Sequence, residues 1–331
     1  MKIDSSVFFD IKNYMKDLKP KTFIIGARGI GKTYSSLSYV VENNIRFIYM
    51  RNTWTQIKEC ATDFGNPFKR LNKDKNWNIK IEIEKDHGII KDYSDPDKVK
   101  DIGYACDLAT FNDLKGVDLS DVDFIFFDEF IELRKLQFDQ FEAFQKMYET
   151  VDRSRELFGE DPVMCICASN SDSLANPILM GYNLVPLIEG MLKVGQQKLK
   201  VNDIFVFRPI AKISELKAQT EHYKGLKGTK AYKNAISNEF AYDSQYGIKK
   251  RKLIEYKPLV MIDDIYIYKH KSMNKYYACS SQFTNMPEFT SKDNKLAFYR
   301  AYGRMLSLAC ATGDLEFSDF VIKTKLSKIL L

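Results

Sequence analysis

The chain contains 331 residues, of which 45% are hydrophobic and 28% are charged, with a formal net charge of +6. This composition is typical of a soluble globular protein. No segment reaches the roughly 18 uninterrupted apolar residues of a membrane span, so we expect no membrane partner. The N-terminus lacks the features of a secretory signal peptide, so we expect no secretion. The charge is uneven, because residues 1–190 carry a balance of −6 and residues 191–331 one of +12, which indicates two domains with the second facing a polyanion.

Strands and helices alternate in the acidic part of the chain. We predict, in chain order, a helix over 5–19, a strand over 21–25, a helix after residue 33, a strand over 46–50, a helix over 53–64, a polar hairpin over 78–93, a strand over 123–127, a helix over 137–157 and a strand over 163–168. Short apolar strands that alternate with helices predict an α/β fold, with a mostly parallel sheet and helices on both faces.

The pattern changes after about residue 190. Residues 193–257 are rich in lysine and contain helical patches, and we predict a hairpin from 259–269 and 276–280, followed by a helix over 293–311. Asp263 and Asp264 fall in the middle of the first hairpin strand in this prediction. The chain is therefore divided into three regions, 1–190, 191–257 and 258–331.

A phosphate-binding motif follows the first predicted strand. Residues 26–33 match G-x-x-x-x-G-K-[ST] at every specified position, with the members Gly26, Ala27, Arg28, Gly29, Ile30, Gly31, Lys32 and Thr33. Glycines let successive backbone N–H groups curl around a phosphate, and the start of the next helix adds its positive end. We expect Lys32 to neutralise the β- and γ-phosphates of ATP, Thr33 to bind Mg²⁺, and Arg28 to touch a phosphate or the adenine.

A second motif has the form of a Walker B strand. Residues 122–129 read VDFIFFDE, so four apolar residues precede Asp128 and Glu129, which a parallel sheet would deliver at its ligand-binding edge. We expect Asp128 to hold Mg²⁺ through water and Glu129 to polarise the attacking water. An adjacent glutamate favours hydrolysis over phosphoryl transfer to a small molecule, so the two motifs together predict a P-loop ATPase.

Four further residues are candidates for the reaction. Asn170 ends a later apolar strand, where it could sense the γ-phosphate. Arg153 and Arg155 lie late in the helix after Walker B, and one of them, with Arg155 favoured, could act as an arginine finger on a neighbouring copy. Lys115, ahead of Walker B, is a second possible charge donor. The alternative for the arginines is an exposed helix pair with nearby acids.

The order of these parts resembles a known family. A strand feeds the glycine-rich loop, a second strand ends in Met50-Arg51-Asn52, Leu114-Lys115-Gly116 precedes Walker B, and a strand ending in Ser169-Asn170 follows the arginines. This order is similar to the motor domains of large terminases, which are viral DNA-packaging ATPases. The short length most closely resembles the encapsidation ATPases of small, protein-primed podoviruses of the φ29-like type.

The resemblance implies a function and a set of partners. Members of this family form rings, usually pentamers, that dock transiently on the portal (connector) of a procapsid in the host cytoplasm and pump double-stranded DNA inward. Hydrolysis is completed by residues donated in trans, a role that Arg155, Arg153 and Lys115 match by position. A structural packaging RNA on the capsid is a further possible partner.

The resemblance also assigns the three regions. Residues 1–190 would form a P-loop motor of the ASCE, terminase-like type, and residues 191–257 would form a basic linker. Residues 258–331 would form a smaller α+β domain that resembles a vestigial RNase H-like nuclease and binds nucleic acid or the capsid. Two alternatives remain open at this stage. One is a large terminase with an active C-terminal nuclease, and the other is a non-motor NTP-dependent nucleic-acid-binding protein.

Overall fold

The computed structural model of the chain describes residues 4–111, 118–132, 136, 138–240, 243, 246–282 and 285–330. The chain divides into two compact units, Met1–Tyr242 and Asp243–Leu331. Among the helices in these described ranges, none is both long enough and apolar enough to cross a bilayer.

The first unit is built on a large, mainly parallel sheet. Its strands are β1 Lys21–Gly26, β2 Phe47–Arg51, β3 Ile79–Ile83, β4 Gly88–Asp92, β5 Lys100–Asp107, β6 Phe124–Asp128, β7 Met164–Asn170, β8 Lys198–Val201 and β9 Ile204–Phe207. They pair in the order β3-β4-β5-β2-β6-β7-β1-β9-β8, and all pairs from β5 to β9 in this order are parallel. The edge strands β3, β4 and β8 run antiparallel to their neighbours. The predicted α/β sheet is therefore present.

Helices connect these strands. They are α1 Lys32–Glu42, α2 Trp54–Cys60, α3 Lys69–Lys75, α4 Gln140–Asp152, α5 Pro177–Gly181, α6 Leu184–Lys193, α7 Ile213–Ala218, α8 Glu221–Gly225 and α9 Lys230–Tyr232, with a π-helical segment over Lys233–Ser237 and a 3₁₀ turn over Arg155–Phe158. The side chain of Asp139 begins α4 by accepting hydrogen bonds from the backbone N–H groups of Phe141 and Glu142 at 3.0 and 2.9 Å.

Side chains alternate between the two faces of the sheet, and each face packs against helices. Ile24 of β1 belongs to the core that contains Leu37 of α1 and Ile57 of α2. On the opposite face, Phe127 of β6 stacks on Phe144 of α4, with ring centroids 6.3 Å apart and planes at 18°. The sheet thus has helices on both faces, and this arrangement exposes the carboxyl ends of β1, β2, β6 and β7 at one edge.

The helix predicted over residues 5–19 is wrong. The segment instead forms two 3₁₀ turns, Ser5–Val7 and Ile11–Tyr14. The backbone N–H of Phe9 donates to the carbonyl oxygen of Ile30 at 2.9 Å, and Phe9 and Ile11 are both buried in the core. Packing against the glycine-rich loop outweighs the helical spacing of the apolar residues.

The lysine-rich segment begins inside the first unit. Strand β9 pairs in parallel with β1, and β8 pairs with β9 at the edge of the sheet. The boundary predicted near residue 190 differs from the division of the structure because these two strands extend the same sheet. The helices α7, α8 and α9 and the π-helical segment that ends at Ser237 then follow within the same unit.

The second unit has a five-stranded mixed sheet covered by helices. The strands are β10 Tyr256–Ile262, β11 Ile265–His270, β12 Tyr276–Cys279, β13 Glu288–Phe289 and β14 Leu315–Phe317, paired in the order β13-β10-β11-β12-β14. The helices are α10 Lys295–Phe298, α11 Arg304–Thr312 and α12 Phe320–Leu330, with a π-helical segment Tyr299–Gly303 joining the first two and a 3₁₀ turn over Leu253–Glu255. Apolar residues of the sheet, such as Ile265, pack with Phe298 and Leu326 in one core.

The prediction that Asp263 and Asp264 lie within a strand is wrong. They form the two-residue turn between β10 and β11, because Ile262 pairs directly with Ile265 and Asp263 has a φ of +51°. A positive φ at a turn is tolerated by Asp far better than by the β-branched residues around it.

Candidate active site

The glycine-rich loop joins β1 to α1 in a conformation that requires its glycines. Gly29 and Gly31 have φ values of +70° and +101°. A Cβ on Gly26 would lie 2.7 Å from Ile30 Cδ1, which is a clash. Gly31 begins α1 and contributes no capping side chain, so the first N–H groups of the helix face the loop. This is the local geometry of an anion-binding loop.

Lys32 extends back across the loop. Its Nζ donates hydrogen bonds to the carbonyl oxygens of Gly26 at 3.0 Å and Ala27 at 2.9 Å, and lies 3.3 Å from Asn170 Oδ1. Burial lowers the pKa of Lys32 to about 8, although Asp128 acts in the opposite direction. The loop therefore encloses an ammonium group at the position where phosphate charge would be received.

Thr33 and Asp128 meet across the sheet edge. Thr33 Oγ1 donates to the two carboxylate oxygens of Asp128 at 3.1 and 3.2 Å. Burial raises the pKa of Asp128, while Arg51 opposes the shift. A hydroxyl and a carboxylate are the kind of oxygen donors that bind Mg²⁺ when substrate phosphates supply further ligands. These two residues fit such an ion.

Glu129 is held by an arginine for which the sequence analysis predicted no role. Its side chain is 54% exposed, and its Oε2 lies 2.5 Å from Nη2 of Arg51, at the end of β2. Nη1 of the same guanidinium lies 3.4 Å from Asp128 Oδ2. Arg51 thus bridges the two acids of Walker B. Its only signal in the sequence was its position at the end of the strand that neighbours β6.

A buried amide network lies behind Glu129. Asn52 Nδ2 donates to the carbonyl oxygen of Glu129 at 3.0 Å. Gln140 Nε2 donates to Asn52 Oδ1 at 2.6 Å and to the carbonyl oxygen of Phe130 at 2.7 Å. Asn176 Nδ2 in turn donates to Gln140 Oε1 at 2.8 Å. Glu129 has a φ of +53°, a conformation that costs energy for a residue with a Cβ. The Asn52–Gln140–Asn176 network stabilises that backbone, and sequence patterns alone did not indicate it.

The last strand of the site ends in Ser169 and Asn170, as predicted, and the residues that follow contact the lysine-rich segment. Asn234 Nδ2 donates to the carbonyl oxygen of Ser171 at 2.8 Å and to Asp172 Oδ1 at 2.9 Å.

The glycine-rich loop and the strand ends enclose a cavity of about 220 Å³. It is lined by Arg28, Gly29, Gly31, Lys32, Thr33, Tyr34, Asp128, Glu129, Ser169 and Asn170. The structure therefore brings the two predicted motifs and Asn170 together at one site.

Two of the candidate trans-acting residues, Arg153 and Arg155, are not among the residues that line this cavity. Arg155 is bound within its own chain, since Nη1 lies 2.8 Å from Asp123 Oδ1 and Nη2 donates to the carbonyl oxygens of Ser120 and Val122 at 3.0 and 2.8 Å. The side chain of Arg153 is 53% exposed, lies 3.6 Å from Asp118 Oδ1 and donates from Nε to the carbonyl oxygen of Thr150 at 3.4 Å. Lys115 lies outside the described residues.

Three comparisons place the chain among known proteins. The family described as "Podovirus DNA encapsidation protein (Gp16)" matches residues 3–257. The DNA packaging protein of Bacillus phage phi29 is 27% identical over 261 residues, covering 75% of this chain and 70% of the relative, and that of Bacillus phage B103 is 29% identical over 237 residues, covering 69% and 67%. A chain of the bacteriophage Phi-29 genome packaging motor assembly has a similar fold, with a TM-score of 0.65, 21% identity, and coverage of 98% of this chain and 100% of that one.

Proposed function

Because this chain belongs to the Podovirus DNA encapsidation protein (Gp16) family, we propose that it hydrolyses ATP to translocate double-stranded DNA into a preformed procapsid. The family match agrees with the resemblance predicted from the motifs, so that prediction is confirmed. The observation that carries the ATPase proposal is the contact between the two motifs, in which Thr33 Oγ1 lies 3.1 Å from Asp128 Oδ1 with Glu129 adjacent.

Each residue has a role that follows from its position. Backbone N–H groups of residues 29–33 and the ammonium of Lys32 would bind and orient the phosphates. Thr33 and Asp128 would hold Mg²⁺, whose chemistry when bound is to neutralise charge on phosphate oxygens. Asn170, whose Oδ1 lies 3.3 Å from Lys32 Nζ, would detect whether a terminal phosphate is present.

Glu129 would accept a proton from the attacking water. The Glu129 oxygen that contacts Arg51 at 2.5 Å is already engaged with a guanidinium and does not face a water, so this contact describes an inactive arrangement of the acid. Rotation of the Glu129 side chain away from Arg51 would free it for the water. The Asn52–Gln140–Asn176 network would keep its backbone in place during this rotation.

Completion of the site would require a second copy of the chain. We propose a ring, which the resemblance puts at five copies, docked on the procapsid portal, with a packaging RNA as a further partner to be tested. Arg153 is the better-placed donor in trans, because it would give up a 3.6 Å ion pair and a 3.4 Å hydrogen bond, whereas Arg155 would lose three shorter contacts. Lys115 is a third candidate by sequence position.

The lysines that follow β9 support a contact with the DNA backbone. The exposed lysines of α8, α9 and the segments that follow them are Lys224, Lys227, Lys230 and Lys233. Lysines clustered in this way bind phosphates without reading bases, and their contribution falls steeply with salt.

For the second unit we propose a vestigial nuclease that binds nucleic acid or the capsid without cutting. In support, Asp264 Oδ2 lies 2.6 Å from Lys325 Nζ, so a lysine cation contacts a carboxylate that a two-metal nuclease would use for its ions. Manganese-dependent plasmid nicking that disappears in Asp263→Ala or Asp264→Ala would overturn this proposal and favour an active terminase.

The central test is phosphate release by the purified chain with and without a DNA duplex. We expect hydrolysis that is stimulated by DNA, rises more steeply than linearly with protein concentration as rings assemble, and disappears in Lys32→Ala. Turnover that ignores DNA and scales linearly with protein concentration would contradict a translocating ring. Hydrolysis that survives in Lys32→Ala would contradict the site itself.

A further inference from the structure

Lys217 reaches the glycine-rich loop from outside the two motifs. It lies on α7, and its Nζ donates to the carbonyl oxygen of Arg28 at the tip of the loop and lies 3.5 Å from the carbonyl oxygen of Ala235. The distance from the same Nζ to the position of a Cβ on Gly29 would be 3.6 Å. An ammonium group from a segment far along the sequence is therefore in direct contact with the phosphate-binding loop.

The charge of Lys217 lacks a balancing carboxylate. Burial lowers the pKa of Lys217 and the charge of Arg28 lowers it further, with no acid among the described residues contributing an opposing effect. Two carbonyl oxygens and the ring of Tyr223, whose centroid lies 5.1 Å from Nζ, are its surroundings. Three cations, Arg28, Lys32 and Lys217, thus converge on one loop.

The carboxylates of Asp128, Asp172 and Glu129 offset the charge of Lys32, but the placement of Lys217 beside Arg28 is unfavourable. Like charges in a partly desolvated setting repel one another, and a carbonyl oxygen is a weaker partner for an ammonium than a phosphate oxygen is. The ligand that would relieve the repulsion is a polyanion bound by the loop itself.

We propose that Lys217 binds the phosphate chain of the nucleotide, in cis, as a ligand additional to Lys32. This inference rests on the proposed function, because it requires a nucleotide in the loop. In this structure Lys217 contacts the Arg28 carbonyl, and with a nucleotide bound it would turn to a phosphate oxygen. The lysine-rich segment that carries α7 would then register whether the loop is filled.

The test compares ATP with inorganic tripolyphosphate, which has the phosphates and lacks the base and ribose. Lys217→Met removes the charge and keeps an unbranched stem, and Lys212→Met, which removes an exposed lysine next to the same helix, is the matched control. We expect the dissociation constants of both ligands to rise about tenfold in Lys217→Met, to change less than about twofold in Lys212→Met, and to recover in Lys217→Arg.

Equal affinities in Lys217→Met and the unmodified protein would overturn the proposal, as would a loss for ATP that spares tripolyphosphate. Lys217→Gln serves as a second variant if Lys217→Met does not fold. Failure of the proposed function has a different signature, since the unmodified protein would then bind neither ligand in a manner that depends on Lys32.

Discussion

Replacing Gln140 with leucine should damage both stability and catalysis, because this side chain is the centre of the buried network behind Glu129. It is 1% exposed and makes three hydrogen bonds, at 2.6 Å to Asn52 Oδ1, 2.7 Å to the Phe130 carbonyl oxygen and 2.8 Å to Asn176 Nδ2. At about 1 kcal/mol each, their loss lowers the free energy of unfolding by about 3 kcal/mol. For a unit of this size, the melting temperature should fall by roughly 6–12 °C.

The catalytic effect has a separate cause. Without Gln140, Asn52 loses the contact that orients its amide toward the carbonyl oxygen of Glu129, and the strained backbone of Glu129 relaxes. A displacement of about 1 Å in a reacting group can cost about a hundredfold in rate, so kcat should fall by at least about tenfold. The Michaelis constant for ATP should change little, because the residues of the glycine-rich loop are untouched.

Calorimetry and steady-state hydrolysis measured below the melting temperature of the variant would test both effects. Gln145→Leu is the matched control, because Gln145 is an exposed glutamine on the same helix. The reasoning is refuted if Gln140→Leu melts and turns over like Gln145→Leu. A Gln140→Leu variant that is destabilised but retains normal kcat would refute only the inference that the network positions Glu129.

Four further outcomes are expected. Glu129→Gln should keep ATP affinity while turnover falls by about 10²–10⁴-fold in a phosphate-release assay, and a loss of less than about tenfold would exclude it as the general base. Burial holds the Lys32 pKa at about 8, and above that pH a neutral amine must first take up a proton before it can bind a phosphate. ATP affinity should therefore decline as pH rises above about 8. A binding constant that does not change with pH would contradict this. Because the Lys32 pKa is lower in the folded protein, the unfolded chain binds more protons between about pH 8 and 10.5. The stability of the protein without nucleotide should therefore rise with pH across that range. Thermal denaturation would measure this rise, and Lys32→Met should abolish it. Arg153→Ala should melt normally and regain activity when mixed with Glu129→Gln, whereas Arg155→Ala should melt at a lower temperature; failure to regain activity would count against Arg153 as the donor in trans.

The sequence was most informative where function requires contiguous residues. A loop that wraps a phosphate needs its glycines, lysine and threonine at fixed spacing, and a strand that delivers Asp128 needs an apolar run before it. For this reason local patterns could predict which side chains meet at the edge of the sheet, namely Lys32, Thr33, Asp128, Glu129 and Asn170. The parallel arrangement followed from the alternation of strands and helices.

Features that depend on distant segments escaped prediction. Arg51 gains a role only because β2 lies next to β6, and Gln140 only because α4 packs behind the strand ends. Strand β9 was included in a basic linker because its partner, β1, is far away in sequence. The turn at Asp263 escaped prediction because only two residues separate the apolar run before it from the apolar run after it, so the two runs resemble one strand.

The left-handed backbone of Glu129 has a consequence for the speed of the catalytic cycle. Its carbonyl oxygen is bound by Asn52, and the next residue, Phe130, is fully buried, so the main chain is a fixed pivot and only the side chain turns. Rotation of a half-exposed side chain takes picoseconds to nanoseconds, whereas turnover in phosphate-transferring enzymes is typically on the order of 1–100 per second. In the proposed mechanism, moving the acid between Arg51 and water would therefore set no limit on the rate, and the slow events of the cycle would be larger motions such as product release.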